Sequence, residues 1–108
     1  MDNFANLLFG AMLGPANRQT VVGRDTVGRY TIDTCYTVDC GWETAVWKDN
    51  YDMIIVGRYA TEKLAREGHS DWCAVCAMNP TTAWSVQTDQ YEYFDPMNTI
   101  LADMEEKE

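Results

Sequence analysis

Basic side chains are scarce in this chain: eight Lys and Arg stand against seventeen Asp and Glu, which gives a formal net charge of −9. Proteins bind nucleic acid largely by neutralising phosphates with Lys and Arg. A chain with no basic patch is therefore not expected to bind nucleic acid directly. The excess of carboxylates suits either simple solubility or a surface that is complementary to a basic protein partner.

Long apolar runs are also missing. The longest are short, such as M-I-I-V at residues 53–56, whereas a membrane-spanning helix needs about 20 apolar residues. Asp2 stands where a signal peptide would carry basic residues, and no clear cleavage site follows. We expect a cytoplasmic protein with no membrane partner.

Sequence motifs for catalysis are absent as well: there is no phosphate-binding loop, no dinucleotide fingerprint and no H-E-x-x-H. His69 is the only histidine, so any imidazole catalysis would depend on it. Its neighbour Ser70 does not face it on a helix, because residues i and i+1 point in different directions. The favoured role for His69 is a polar anchor to the sheet or a loop. We predict no catalytic residue and no enzyme activity.

The remaining pattern predicts one domain of 108 residues. Residues 1–16 carry apolar side chains at helical spacing until Gly14-Pro15, which indicates a short amphipathic helix. Residues 17–29 read as a loop or an irregular edge segment. Residues 29–60 then alternate polar and apolar side chains with turns near 39–41 and 48–50, which predicts a three-stranded antiparallel meander.

Residues 61–79 predict the main helix, with Thr61 as N-cap and Pro80 ending the pattern. Gly68 costs helix propensity and is expected to let the helix approach the sheet closely. The predicted apolar face of this helix comprises Leu64, Ala65, Gly68, Trp72, Val75, Cys76 and Asn79.

Residues 80–108 form an acidic C-terminal segment with one basic and seven acidic side chains. Within it, residues 82–88 could add a fourth strand, and Asp95-Pro96 predicts the start of a short terminal helix. The expected fold is α+β: a three- to four-stranded antiparallel sheet packed on one main helix, with short N- and C-terminal helices.

Three motifs within residues 30–72 carry a family resemblance. They are W-E-T-A-V at 42–46, R-Y-A-T at 58–61, and A-x-x-G-H-x-x-W at 65–72. Together with the preceding strand rich in Thr and Asp, they resemble small proteins encoded by phages and prophages that have no assigned activity. The resemblance implies a phage-type origin and a shared fold, and it implies the host cytoplasm as the location. It does not extend to the N-terminal helix, the four cysteines or the acidic end.

The cysteines raise the question of a metal. Cys73-Ala74-Val75-Cys76 is a C-x-x-C, and His69 lies one helical turn before it. Zinc could be bound by these residues with help from the first hairpin. The C-x-x-C falls inside a helical pattern, however, so free thiols are the favoured interpretation and no cofactor is predicted. The complete candidate zinc set is Cys35, Cys40, His69, Cys73 and Cys76.

Aromatic residues exceed what so small a core needs, with four Trp and six Tyr. Trp42 and Trp47 have opposite parity on one strand, so one of them should face away from the helix. An exposed aromatic beside carboxylates is typical of an interaction surface. The predicted partner-binding residues are Asp33, Asp39, Trp42, Glu43, Trp47, Asp89 and Glu92.

Three functional hypotheses follow. The leading one is a phage-type accessory protein that binds a basic host protein stoichiometrically, as an inhibitor of a nucleic-acid-handling or defence system. The second is a structural or assembly protein that forms homo-oligomers through its N-terminal helix. The third is a small-ligand binder, a hydrolase or a zinc-stapled module, with the ligand pocket near His69 and the aromatic segment at residues 91–94.

Overall fold

The structure is a computed structural model that describes residues 18–97, with side-chain surroundings for residues 21–97. The predicted N-terminal helix lies outside the described residues, as does the predicted terminal helix beyond Met97. Within residues 18–97, none of the helical structure combines the length and apolar character that crossing a bilayer would require.

Four antiparallel strands form the main sheet, in the order β1-β2-β3-β4. They comprise Arg18–Val27 (β1), Tyr30–Thr37 (β2), Gly41–Lys48 (β3) and Ile54–Tyr59 (β4). The predicted meander is confirmed as β2, β3 and β4. The turn at residues 39–41 uses Gly41 at a φ of 73°, a conformation that costs glycine little.

The fourth strand of the sheet is β1 and not residues 82–88. The sequence of residues 17–29 shows no clear alternation of polar and apolar side chains. The strand pairing explains this, because the register of β1 against β2 shifts at two places. The shifts lie between Arg18 and Thr20 and between Val21 and Gly23. Such bulges are typical of edge strands. Thr82–Ser85 (β5) instead pairs with Gln90–Tyr93 (β6) as a separate two-stranded hairpin beside β4.

The main helix, α1, runs over Glu62–Cys76. It begins as predicted, because the Thr61 hydroxyl accepts a hydrogen bond from the Leu64 N–H at 3.2 Å. Its buried residues are Ala65, His69 and Cys76. The prediction that Leu64 belongs to the buried face of α1 is wrong, since Leu64 is 46% exposed. The side of the helix that packs on the sheet is rotated toward His69, which is buried.

Gly68 is explained by Tyr59. A Cβ at Gly68 would lie 2.3 Å from the Tyr59 hydroxyl, and one at Gly57 on β4 would meet the same atom at the same distance. The Tyr59 ring therefore occupies a slot between β4 and α1 that two glycines leave open. The prediction that Gly68 allows a close approach is correct, but at this point α1 packs against the Tyr59 side chain and not directly against the strands.

Both faces of the main sheet are covered. On the α1 side, the helix-side core contains Tyr30, Ile32, Val46, Ile54, Val56, Cys76, Ala83 and Phe94. On the opposite side, which we call the outer face, a smaller core contains Cys35, Ala45, Trp47 and Ile55. Because both faces are covered, most residues of β2 and β3 are buried, even though polar and apolar side chains alternate along these strands.

Candidate functional site

The β5–β6 hairpin reverses the usual arrangement of large and small side chains. Ala83 and Ser85 point inward and are buried, whereas Trp84 between them is 43% exposed. Cross-strand pairing places Tyr91 opposite Trp84 and Tyr93 opposite Thr82, so the aromatic residues share one side of the hairpin. Tyr91 is 70% exposed and Tyr93 is 44% exposed. We call Trp84, Tyr91 and Tyr93 the aromatic face.

The rings on this face are ordered against each other. Trp84 and Tyr91 make an edge-to-face pair with centroids 5.0 Å apart and an interplanar angle of 83°. Such pairs are favourable beyond the area they bury. Aromatic side chains also present a large contact area with few rotatable bonds, so little entropy is lost when they bind.

The hairpin is fixed firmly to the main sheet. Phe94, which follows β6, is fully buried and packs edge-to-face on Tyr30 at 5.3 Å. The Val86 N–H donates to the Ile55 carbonyl at 2.9 Å, and the Tyr30 hydroxyl donates to the Pro80 carbonyl at 2.5 Å. The aromatic face is therefore carried on a scaffold that a partner would not have to reorganise.

A pocket of about 410 Å³ adjoins this face, lined by Asn50, Tyr51, Asp52, Ile54, Glu92, Tyr93 and Pro96. We call it the acidic pocket, because Asp52 and Glu92 are the charged residues among its described lining, and none of that described lining is basic. Tyr51 donates a hydrogen bond to the buried Asp95, whose carboxylate raises the pKa of that phenol. Two carboxylates and two phenols suit an ammonium or guanidinium group.

The outer face of the main sheet holds three of the predicted partner-binding residues, and all three are buried. Asp33 and Trp47 have no exposed surface, and Glu43 is 4% exposed. Trp47 does face away from α1, as parity predicted, but it belongs to the smaller core. These residues offer no accessible contact surface in this structure.

Ion pairs neutralise the carboxylates of that face. Arg24 Nε donates to Asp33 Oδ2 at 3.0 Å, and Arg58 Nε donates to Glu43 Oε2 at 2.6 Å. The Arg24 guanidinium also lies 5.6 Å from the centre of the Trp47 ring. A buried carboxylate needs such a partner, so Asp33 and Glu43 act as structural charges.

The other four predicted residues are divided between two places. Asp39 and Trp42 lie at the β2–β3 turn, where Trp42 packs on Tyr36 at 4.9 Å. Glu92 lines the acidic pocket near the β3–β4 turn, and Asp89 lies at the tip of the β5–β6 hairpin. Because the two turns lie at opposite ends of β3, the structure does not bring the seven residues into one surface.

His69 is a polar anchor, as predicted. Its Nδ1 lies 2.7 Å from the Thr34 hydroxyl, which in turn lies 2.6 Å from the Thr44 hydroxyl. Its Nε2 lies 2.6 Å from Asp25 Oδ2. Acid, imidazole and hydroxyl in series resemble a catalytic triad. Thr34 has no exposed surface, however, so a substrate could not reach its oxygen.

The five candidate zinc residues are dispersed. Cys35 lies in the core of the outer face, Cys76 in the helix-side core, and Cys40 is exposed in the β2–β3 turn. Burial raises the pKa of Cys76 to about 12, as befits a thiol that stays protonated. Among the described residues, the group whose ligand atoms converge contains two of these five, His69 and Cys73, and its third member is Asp25, which no sequence motif indicated.

The third hypothesis placed a ligand pocket around both His69 and residues 91–94. The acidic pocket includes Glu92 and Tyr93 but not His69. His69 instead meets Asp25 on β1, at the opposite edge of the main sheet.

Trp84 is absent from the predicted partner-binding residues. Its exposure has a signal in A-W-S at 83–85, where small residues flank a large aromatic within a strand, but a fourth strand in the main sheet at residues 82–88 would hide that signal. Comparisons with protein-family models, with curated proteins and with solved structures found no match to this chain.

Proposed function

We propose that this protein is a non-enzymatic, phage-type accessory protein that binds a basic surface of a host protein stoichiometrically. The aromatic face supplies the contact area, and the acidic pocket receives a Lys or Arg side chain of the partner. The single observation that carries this proposal is the inverted hairpin, in which Trp84 and Tyr91 face solvent while Ala83 and Ser85 fill the core. Exposed aromatic clusters of this kind mark interaction sites.

The charge distribution supports a basic partner. Among residues 21–97, whose side chains the structure describes, four arginines pair with carboxylates of the chain itself: Arg24, Arg29, Arg58 and Arg66. Asp52 and Asp89 form no such ion pair within that range and remain available to a partner. With a net charge of −9, the chain should associate quickly with a positively charged protein, and the rate should fall as salt screens the charges.

The more specific form of the proposal is inhibition of a host nucleic-acid-handling or defence protein. Such proteins present basic grooves to nucleic acid, and an acidic protein can occupy such a groove in its place. The phage-type origin that the sequence motifs imply would bring this chain into contact with such host proteins. Cytoplasmic location is part of the same proposal.

The test is affinity capture from a bacterial host lysate, with mass-spectrometric identification of the bound proteins. The immobilised baits are the natural chain, a Trp84→Ser/Tyr91→Ser double variant, and a Met78→Ser control. Met78 is 75% exposed but lies beyond α1, outside the aromatic face. We expect a stoichiometric partner on the natural chain and the control, and at least tenfold less on the double variant.

Two outcomes would count against the proposal at different levels. Equal capture by the double variant would show that the aromatic face is not the contact surface. Capture that added double-stranded DNA does not displace would remove the groove-occupying mechanism and leave the binding surface intact.

A further inference from the structure

Three side chains with metal-ligating atoms converge where β1 meets α1. Asp25, His69 and Cys73 each offer one such atom, and all three atoms lie within 4.8 Å of one another. His69 and Cys73 are four residues apart on α1 and so share one helical side. Asp25 comes from the neighbouring edge strand, on the sheet face that α1 covers.

His69 is already oriented for a ligand. One ring nitrogen is held by the buried Thr34 hydroxyl at 2.7 Å, and the other is directed at Asp25. Metal-bound histidines usually donate their second ring N–H to a fixed acceptor, which sets the tautomer and the ring plane. In the metal-free chain Nε2–H donates to the Asp25 carboxylate, which can only accept. A bound ion would take the place of that hydrogen, with Nδ1–H then donating to Thr34 and Thr34 donating to Thr44.

Gly23 leaves space beside that nitrogen. A Cβ at residue 23 would lie 3.2 Å from His69 Nε2 and would crowd the open side of the ring. Gly23 also sits at a register shift of β1, where the strand bends. The bulge therefore brings the edge strand close to the imidazole without a side chain in the way.

We propose that Asp25, His69 and Cys73 form a three-ligand site for a borderline divalent metal ion, with zinc as its best fit. A mixed set of nitrogen, sulfur and carboxylate oxygen is typical of zinc, whereas magnesium and calcium prefer oxygen alone. Zinc is usually four-coordinate, so the fourth position is open to water or to a side chain of a partner.

The geometry requires one small adjustment. Ligand atoms about 2.0–2.3 Å from a tetrahedral ion are roughly 3.3–3.7 Å apart, which is wider than the 2.6 Å between Nε2 and the Asp25 carboxylate. The Asp25 side chain is 59% exposed and can rotate outward to make that room. Burial and the charge of Asp25 raise the pKa of Cys73, and a cation between them reverses that effect by stabilising the thiolate.

The ion would fasten an irregular edge strand to the helix. Bound metal stabilises the folded chain by an amount that grows with the logarithm of the free metal concentration above the dissociation constant, because the site does not exist in the unfolded state. The β5–β6 hairpin packs beside β4, at the other edge of the main sheet, so this inference stands independently of the proposed binding function.

The experiment titrates the full-length, chelator-treated chain with Zn²⁺ by calorimetry, and with Co²⁺ by absorption spectroscopy. We expect one equivalent of metal, a sulfur-to-cobalt charge-transfer band in the near ultraviolet, and a higher melting temperature with Zn²⁺. Asp25→Asn and Cys73→Ser should each lower the affinity about tenfold or more, and Cys73→Ser should abolish the charge-transfer band.

Cys40→Ser and Asp39→Asn are the matched controls, since both residues are exposed and lie at the β2–β3 turn. Both controls should bind like the natural chain. The site would be refuted by the absence of saturable one-to-one binding, by a band that survives in Cys73→Ser, or by loss of binding in Cys40→Ser. Both site variants leave the His69–Thr34 contact in place, and a circular-dichroism spectrum checks that each remains folded.

Discussion

The outer face of the main sheet and the aromatic face of the hairpin both combine aromatic rings with carboxylates, yet the two surfaces differ in what meets water. On the outer face, Trp47 is fully buried and Asp33 is paired with Arg24. On the hairpin, Trp84 and Tyr91 are exposed, and Glu92 lines a pocket in which none of the residues that the structure describes is basic. Composition alone therefore does not distinguish a core from a contact surface. What distinguishes them is whether each carboxylate forms an ion pair with an arginine of the same chain.

Phe94 and Tyr91 give the largest expected contrast, because they lie three residues apart and face opposite ways. Phe94→Ala should lower the free energy of unfolding by about 3–5 kcal/mol, since it empties a fully buried site against Tyr30. Tyr91→Ala should cost at most about 0.5–1.5 kcal/mol, the contribution of its edge-to-face pair with Trp84. Urea denaturation of both variants measures the difference, and equal losses would mean that Tyr91 is also a core residue.

Asp33 and Asp39 extend the contrast to carboxylates. Asp33→Ala should cost about 1–3 kcal/mol or more, because it removes a buried group that accepts hydrogen bonds from Arg24. Asp39→Ala lies in an exposed turn and should be near neutral. The same urea experiment applies. A near-neutral Asp33→Ala would reopen the outer face as a binding surface.

Gly68→Ala tests the slot that holds Tyr59. In most helices this change adds up to about 1 kcal/mol of stability, but here the new methyl would clash with the Tyr59 hydroxyl and cost about 1–3 kcal/mol. In a Tyr59→Ala background the clash is gone, so the same substitution should become stabilising. If Gly68→Ala changed the free energy of unfolding in the same direction in both backgrounds, Tyr59 would not be the reason for glycine at residue 68.

Alkaline pH should produce the smallest of these effects. Burial raises the pKa of Cys76 to about 12, above the ordinary value of 9.0. Between these values the unfolded thiol loses its proton while the folded thiol keeps it, so stability should fall as the pH rises above about 9. Tyr30 and Tyr59, whose pKa values burial also raises, contribute in the same direction.

The measurement is the urea midpoint of unfolding at about pH 8 and at about pH 10.5. The difference between these two midpoints should be smaller for Cys76→Ala than for the natural chain. Cys40→Ala is the control, because that thiol is exposed. An unchanged pH dependence in Cys76→Ala would assign the loss to the tyrosines and Cys73, whose pKa burial also raises.

Sequence patterns predicted the elements that depend on local signals. Thr61 caps α1, and period-two alternation marked β2, β3 and β4, because capping and strand alternation are properties of neighbouring residues. Strand β1 escaped detection, since its bulges break the alternation on which recognition relies.

The candidate sites were harder to predict, because they depend on contacts between distant residues. Parity correctly indicated that one of Trp42 and Trp47 faces away from α1, but it carries no information about which one does or about whether that face is covered. Likewise, His69 and Cys73 were identified by spacing, whereas Asp25 joins them only through the pairing of β1 with β2 and the packing of α1 over both.

The central claim is that the hairpin, and not the sheet, presents the surface for basic partners. Nuclear magnetic resonance of the isotope-labelled chain, titrated with an arginine-rich peptide, tests it most directly, with a glutamate-rich peptide as the control. The account predicts saturable, salt-sensitive shifts of the Trp84 indole N–H and of amides around Tyr91, Glu92 and Asp52, with Asp39 and Trp42 unmoved. Shifts centred on Asp39 and Trp42, or spread evenly over the chain, would contradict it.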